Sequence, residues 1–143
     1  MIIDAPTRDQ VPALRSLWRE AFGDGEEFLD AFTATAMDSR RCLTATVDGQ
    51  LAGALYWFDC GCRGHRLAYL YGVATAKAFR GQGVCRALME YAHSHLGKND
   101  YAGTVLVPGE ESLFRFYEKM GYKVFCGMTA FPCASNGDAI QIY

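Results

Sequence analysis

The sequence predicts an α+β fold, in mixed αβα layers, with helices on the faces of one sheet. Two observations carry the prediction. Stretches with helical spacing and stretches with period-two alternation succeed one another along the whole chain, and a long apolar strand runs through a glycine loop straight into an amphipathic helix. A third observation bounds the size: 143 residues, 50% of them hydrophobic and 13% aromatic, fill one ordinary core and not two. A single domain over residues 1–143 is the expectation, and the apolar content argues against disorder.

Ile2 to Ala5 reads as a short first strand. Thr7 and Gln10 form a capping-box pattern ahead of Val11, Leu14, Trp18 and Ala21 at helical spacing, so helix one ends near Gly23. Asp24 with Glu27 repeats the start signal, and Phe28, Leu29, Phe32 and Ala36 carry helix two. From Cys42 the period becomes two, and Asp48-Gly49 is a hairpin turn returning into a strand over Leu51 to Asp59. Cys60 to Gly64 reads as a second connection, and His65 to Thr75 as the long central strand. After Gly81 and Gly83, the residues Val84, Ala87, Leu88, Tyr91, Ala92 and His95 give helix three, ending at Gly97. Thr104 to Val107 is a brief strand, followed by helix four through Leu113, Phe116, Tyr117 and Met120, with Gly121 at its C-cap. Tyr122 to Cys126 and Met128 to Phe131 read as a last hairpin turning at Gly127. In the tail, Ser135 to Asp138 is a turn, and Ile140 and Ile142 alternate like a strand.

Fourteen Lys plus Arg against sixteen Asp plus Glu give a net charge of -2, so no general attraction to nucleic acid or anionic lipid is expected. The longest apolar stretches fall well short of the ~20 residues that cross a bilayer, and the N-terminus lacks the pattern of a signal peptide. The expectation is a cytoplasmic protein with no membrane or nucleic-acid partner, monomeric or homodimeric. Without an export signal, the six cysteines read as free thiols rather than a disulfide framework.

The chemistry concentrates between Tyr71 and Leu88. A strand that enters a glycine loop at the start of a helix aims free backbone N–H groups, and the positive end of the helix dipole, at one point. Glycines at 81 and 83 let an anion approach the backbone, and Arg80 and Arg86 add charge at either end. The spacing is neither that of a Walker loop nor the dinucleotide Gly-x-Gly-x-x-Gly pattern.

Arg80-Gly81-Gln82-Gly83-Val84-Cys85, preceded by Val73-Ala74-Thr75, resembles the Arg/Gln-x-x-Gly-x-Gly/Ala fingerprint of the GNAT superfamily of acyl-CoA-dependent N-acyltransferases. Cys85 stands in the last small-residue position. A second element, Phe116-Tyr117-Glu118-Lys119-Met120-Gly121-Tyr122, resembles the family's tyrosine ahead of a Gly-aromatic pair, while Glu110 and Leu113 replace its usual Asn and Ala. The resemblance implies a GNAT-like fold with a central mixed, mostly antiparallel sheet flanked by helices, and acetyl-CoA as cosubstrate with no metal. It implies cofactor binding at Val73, Ala74, Thr75, Arg80, Gly81, Gln82, Gly83, Val84, Cys85 and Arg86. Direct attack by the primary amine of a small molecule or peptide is implied, in a ternary complex, with Tyr117 as the acid that protonates the leaving thiolate. The family's strand glutamate falls near Tyr69, and tyrosine with its pKa near ~10 is a poor base. A water relayed from Tyr69, Tyr71, Glu110 or Glu111, or an amine that arrives neutral, remains open.

Other constellations have plainer readings. Cys60-x-Cys62-x-x-His65 holds zinc-type ligands without zinc-site spacing, so a hairpin with two thiols is expected. Cys85 fills a small-residue slot rather than acting as a nucleophile, and His93 and His95 are surface or packing residues. Trp18, Phe22, Phe28 and Phe32 lie where such folds build the acceptor site and read mostly as core, with Glu26, Glu27 and Asp30 on a solvated helix face. Two rival functions stand beside the transferase: a catalytically silent acyl-CoA-binding or sensor domain, and an interaction module whose loop takes a nucleotide phosphate.

Overall fold

The structure, a computed structural model, describes residues 1–128 and 138–142. Strands β1 (Ile2–Asp4), β2 (Cys42–Val47), β3 (Gln50–Cys62), β4 (His65–Thr75), β5 (Gly103–Leu106), β6 (Lys123–Met128) and β7 (Asp138–Ile142) form one sheet in the order β1-β2-β3-β4-β5-β7-β6. Every neighbouring pair is antiparallel except β4 with β5. The mixed, mostly antiparallel sheet flanked by helices is therefore as expected.

Helices α1 (Val11–Phe22) and α2 (Glu26–Thr35) cover one face, and α3 (Val84–Lys98) and α4 (Leu113–Glu118) the other. Thr7 N–H donates to Gln10 Oε1 at 2.9 Å ahead of α1, and Gly23 ends the helix in the left-handed region at φ +73. Alternation on β3 divides the apolar side chains between two cores. Leu55 and Trp57 point to Leu88, Met89, Leu96 and Tyr117, while Ala54 and Tyr56 point to Leu14, Trp18, Leu29 and Phe32.

Two boundaries differ from the sequence reading. Cys60 to Cys62 is not a connection: β3 continues through it, pairing Cys60 with Leu67 and Cys62 with His65, and the chain turns on Arg63 and Gly64 alone, at φ +51 and +82. Nor does the chain turn at Gly127. Strand β6 runs through it to Met128, Gly127 pairs with Ala139, and the partner is β7, the strand suggested by Ile140 and Ile142. The expected strand beyond Met128 and the turn at Ser135 lie outside the described residues. Among the described residues no helix is long and apolar enough to cross a membrane.

Candidate active site

The site begins at Gly72. Tyr71 pairs with Tyr56 and Ala74 with Ala54, so Gly72 and Val73 together oppose the single residue Leu55, which is a β-bulge in β4. Gly72 sits at φ +60, and a Cβ there would fall 2.5 Å from the Trp18 ring and 2.8 Å from the Tyr56 ring. Only glycine fits. A bulge bends its strand, and β4 parts from β5 just before it, since their parallel pairing stops at Leu70 with Leu106. From Tyr71 to Thr75, β4 pairs with β3 only, so its other edge offers backbone groups to a gap.

That gap is part of a groove of about 830 Å³. It is lined by Val73, Ala74 and Thr75 of β4, by Arg80, Gly81, Gly83, Val84, Cys85 and Arg86 at the start of α3, and by Gly109, Glu110, Leu113, Phe116 and Tyr117 around α4. Ala21 and Phe22 from the end of α1, together with Phe79, complete it. Every position expected at the cofactor except Gln82 is thus brought to one groove. The Gln82 amide turns back and donates to Ala78 O at 3.2 Å.

Gly81 and Gly83 both have φ +78, and Gly83 caps α3 from the left-handed region. The first backbone bond of α3 is Ala87 N–H to Gly83 O at 3.0 Å, so the amides before it have no acceptor within the helix. Arg80 folds inward, its Nε donating to Thr75 O at 3.1 Å, and Lys77 N–H donates to Glu20 Oε2 at 3.1 Å, which ties the loop to α1.

Tyr117 is buried, and burial, reinforced by the Cys85 thiol, holds its phenol well above the ordinary value. It keeps its proton at physiological pH and is no base there. Its ring meets Tyr122 edge-on at 5.7 Å, and the Tyr122 hydroxyl lies 2.7 Å from His93 Nε2 and 2.6 Å from Thr104 Oγ1. Burial pushes Cys85 up to about 11, so it is a neutral thiol at pH 7, in keeping with a space-filling role.

His93 is packed, and burial lowers it to about 4, while His95 lies against Trp57 and Tyr91 at 6.0 and 6.2 Å. Cys42, Cys60, Cys62 and Cys85 are free thiols, and among the described residues no group of three His, Cys, Asp or Glu side chains could hold a metal. Burial raises both Tyr69 and Tyr71, the latter to about 12, so neither is a base at neutral pH. Of the two glutamates considered for a water relay, Glu110 lines the groove. Glu26 and Asp30 both lie 2.7 Å from Arg15, and Glu26 also pairs with Arg19, so these carboxylates are spent on α1.

Residues 3–125 match the family described as acetyltransferase (GNAT) domain. The chain belongs to the GNAT acetyltransferase family. Its expected standing as an acetyltransferase enzyme follows from that membership. Similar solved structures include a GCN5-related N-acetyltransferase from Anabaena variabilis, at 19% identity and TM-score 0.78, covering 88% of this chain and 32% of that one. An aminoglycoside 6'-N-acetyltransferase complexed with coenzyme A is 16% identical with TM-score 0.81, covering 100% and 96%. A ribosomal-protein-alanine N-acetyltransferase from Brucella melitensis is 15% identical with TM-score 0.74, covering 100% and 99%. The chain therefore spans about a third of the first protein and nearly all of the other two, and at these identities the likeness is one of fold. No curated protein matches the sequence.

In this GNAT chain the sequence reading left Phe79 unassigned, gave Phe116 no role beyond helix four and its motif, and set Phe22 among acceptor-region aromatics that read mostly as core; all three line the groove. Phe79 stands directly before Arg80 of the fingerprint, but nothing in local spacing separates an apolar side chain on a groove from one in a core.

Proposed function

We infer that the chain transfers an acetyl group from acetyl-CoA to a primary amine of a small molecule or peptide, by direct attack in a ternary complex. One observation carries this reading: the groove joins the free edge of β4 to the glycine loop at the start of α3 and to Tyr117. Its residues fit the cosubstrate. Unpaired amides at a helix N-terminus, with no side chain on Gly81 or Gly83 and with Arg80 and Arg86 alongside, suit a pyrophosphate, and an unpaired strand edge suits the amide groups of pantetheine.

Acetyl-CoA supplies the activated thioester when bound. Val73 and Thr75 offer main-chain groups at the free edge of β4, where a backbone N–H can hold the thioester oxygen and stabilise the charge that develops on it during attack. Arg80, whose Nε donates to Thr75 O at 3.1 Å, would bring its charge to a phosphate in the groove. Tyr117 gives its proton to the departing thiolate. The silent acyl-CoA-binding alternative is favoured by one observation, that Tyr69 stands near the family's glutamate position and is no base. Turnover separates the two.

The deciding experiment is calorimetry with acetyl-CoA, then an amine-library screen detecting released thiol. Saturable binding is expected, and Gly83→Gln should abolish it, because position 83 needs a positive φ and a long side chain there covers the amides. Unchanged binding in that variant would sink the loop assignment. Binding without turnover on any amine would favour the silent domain.

A further inference from the structure

Tyr117 sits on the shortest helix around the groove. Helix α4 has six residues, and a helix of that length is not stable by itself, so whatever holds its tyrosine in one orientation comes from outside it. Phe116, whose ring lies 5.2 Å away, is the neighbour of Tyr117 on the same helix and moves with it. Tyr122, just past the end of α4, is placed differently. Its N–H donates to Tyr117 O at 3.1 Å, and its ring meets the Tyr117 ring edge-on at 5.7 Å and 70°, so it holds both the backbone and the side chain of one residue.

Tyr122 is itself fixed from two sides. It is 2% exposed, and its hydroxyl lies 2.7 Å from His93 Nε2 on α3 and 2.6 Å from Thr104 Oγ1 on β5. Thr104 is equally buried and pairs with Ala68 of β4, so the contact reaches the central strand before it parts from β5. The start of α3 carries the glycine loop, and β4 supplies the free edge of the groove. One side chain thus ties the tyrosine on α4 to the two elements that build the rest of the groove. Filling space does not require this. A phenylalanine against a valine would pack there without taking two hydroxyls out of water, whereas directional hydrogen bonds at the tip of a ring fix where its edge points.

We propose that Tyr122 is a positioning residue for the transfer: held at its hydroxyl by His93 and Thr104, it sets the orientation of the Tyr117 ring and so the line along which the Tyr117 hydroxyl meets the departing sulfur. The inference rests on the acetyltransferase reading of the groove and on Tyr117 as the acid. Misplacing a reacting group by ~1 Å can cost ~10²-fold in rate, and it does so without removing any contact that binds the cosubstrate.

The test is a double-mutant cycle on kcat, followed by thiol release from acetyl-CoA with the fastest member of a primary-amine library. It compares the wild type, Tyr122→Phe, Tyr117→Phe and the double variant. Thr104→Val, alone and with Tyr117→Phe, repeats the cycle with a change that leaves both rings in place, and decides by the same criteria if Tyr122→Phe does not fold. Calorimetry with acetyl-CoA on every protein controls for folding and for the groove. We expect Tyr122→Phe to lower kcat roughly ten- to a hundredfold and Thr104→Val to lower it several-fold, with Kd for acetyl-CoA and KM for the amine unchanged. In the Tyr117→Phe background neither substitution should lower kcat further, because the hydroxyl that they aim is gone. A packing role alone would give the same factor in both backgrounds, and that result overturns the proposal. A wild-type kcat in both Tyr122→Phe and Thr104→Val, or a fall in acetyl-CoA affinity that matches the fall in rate, would overturn it as well. A wild-type kcat in Tyr117→Phe would instead remove the acid on which the proposal stands, and failure to bind acetyl-CoA, or binding with no turnover on any amine, would remove the reading of the groove.

Discussion

At residue scale, two side chains within one groove are divided by what burial does to them. Tyr117 and Cys85 both lose access to water, and in each the charged form is penalised, so each keeps its proton. For a nucleophile that is disabling, whereas an acid needs only to start protonated. Tyr117→Phe removes one hydroxyl from a well-packed ring and should leave folding and acetyl-CoA binding intact while lowering turnover by ~10²–10⁴-fold. A wild-type rate, with an acceptor in hand, would reassign Tyr117 to packing. Cys85→Ala should stay active, and intact-protein mass spectrometry after incubation with acetyl-CoA alone should show no acetyl adduct on Cys85. An adduct discharged by an amine, with a dead Cys85→Ala, would replace direct transfer by a two-step mechanism.

At the scale of elements, the bulge at Gly72 is what turns a sheet into a site, because it bends β4 where pairing with β5 ends. Gly72→Ala forces a Cβ to φ +60 and against Trp18, so α1 must shift. We expect a loss of roughly 2–4 kcal/mol in stability, read by denaturant unfolding, together with weaker acetyl-CoA binding. Stability within a few tenths of wild type would show that α1 yields freely. The bulge is also the feature that the sequence hid. Asp48-Gly49 announced its hairpin because both residues must take positive φ, and Gly23 and Gly121 marked helix ends for the same reason. Gly72 carries the same signal, but within a run of Leu, Tyr and Val it reads as strand, and a slip in register has no trace in one strand without its partner. The opposite error occurred at Cys60 to Gly64 and at Gly127. There small residues suggested turns, although a tight turn needs only two residues and glycine pairs in a ladder when its neighbours do.

At the scale of the whole molecule, the residues that share the groove were legible where local sequence carries them, from Val73 to Arg86 and at Tyr117, whereas Phe22 of α1 and Phe116 of α4, which packing brings to it, were not. Phe22 reaches the groove only because α1 lies on the bulge, and Glu26 and Asp30 are silenced only because Arg15 faces them from α1. The same long-range packing sets the response to pH. His93, on α3, is held between its helix and Tyr122, whose hydroxyl also meets Thr104 of β5, and burial lowers the imidazole to about 4. In the unfolded chain it titrates near ~6.5, so between these values the unfolded state binds a proton that the folded state refuses. Stability from this group is therefore complete above about pH 6.5 and is lost as pH falls toward 4, by up to roughly 3 kcal/mol. Glu26, Asp38 and Asp59, whose carboxylates are held below their ordinary values by hydrogen bonds from Arg15, Arg40 and Tyr101, begin to give way only as pH falls through those ordinary values, at the bottom of that window and below it. Thermal melts between pH 7 and 4.5 should show a falling Tm in the wild type. In His93→Gln, which keeps a hydrogen-bonding group but cannot titrate, the fall should be shallower by several degrees, whatever the substitution costs at pH 7. Parallel slopes in the two proteins would mean that His93 accepts its proton without opening the contact between α3 and Tyr122.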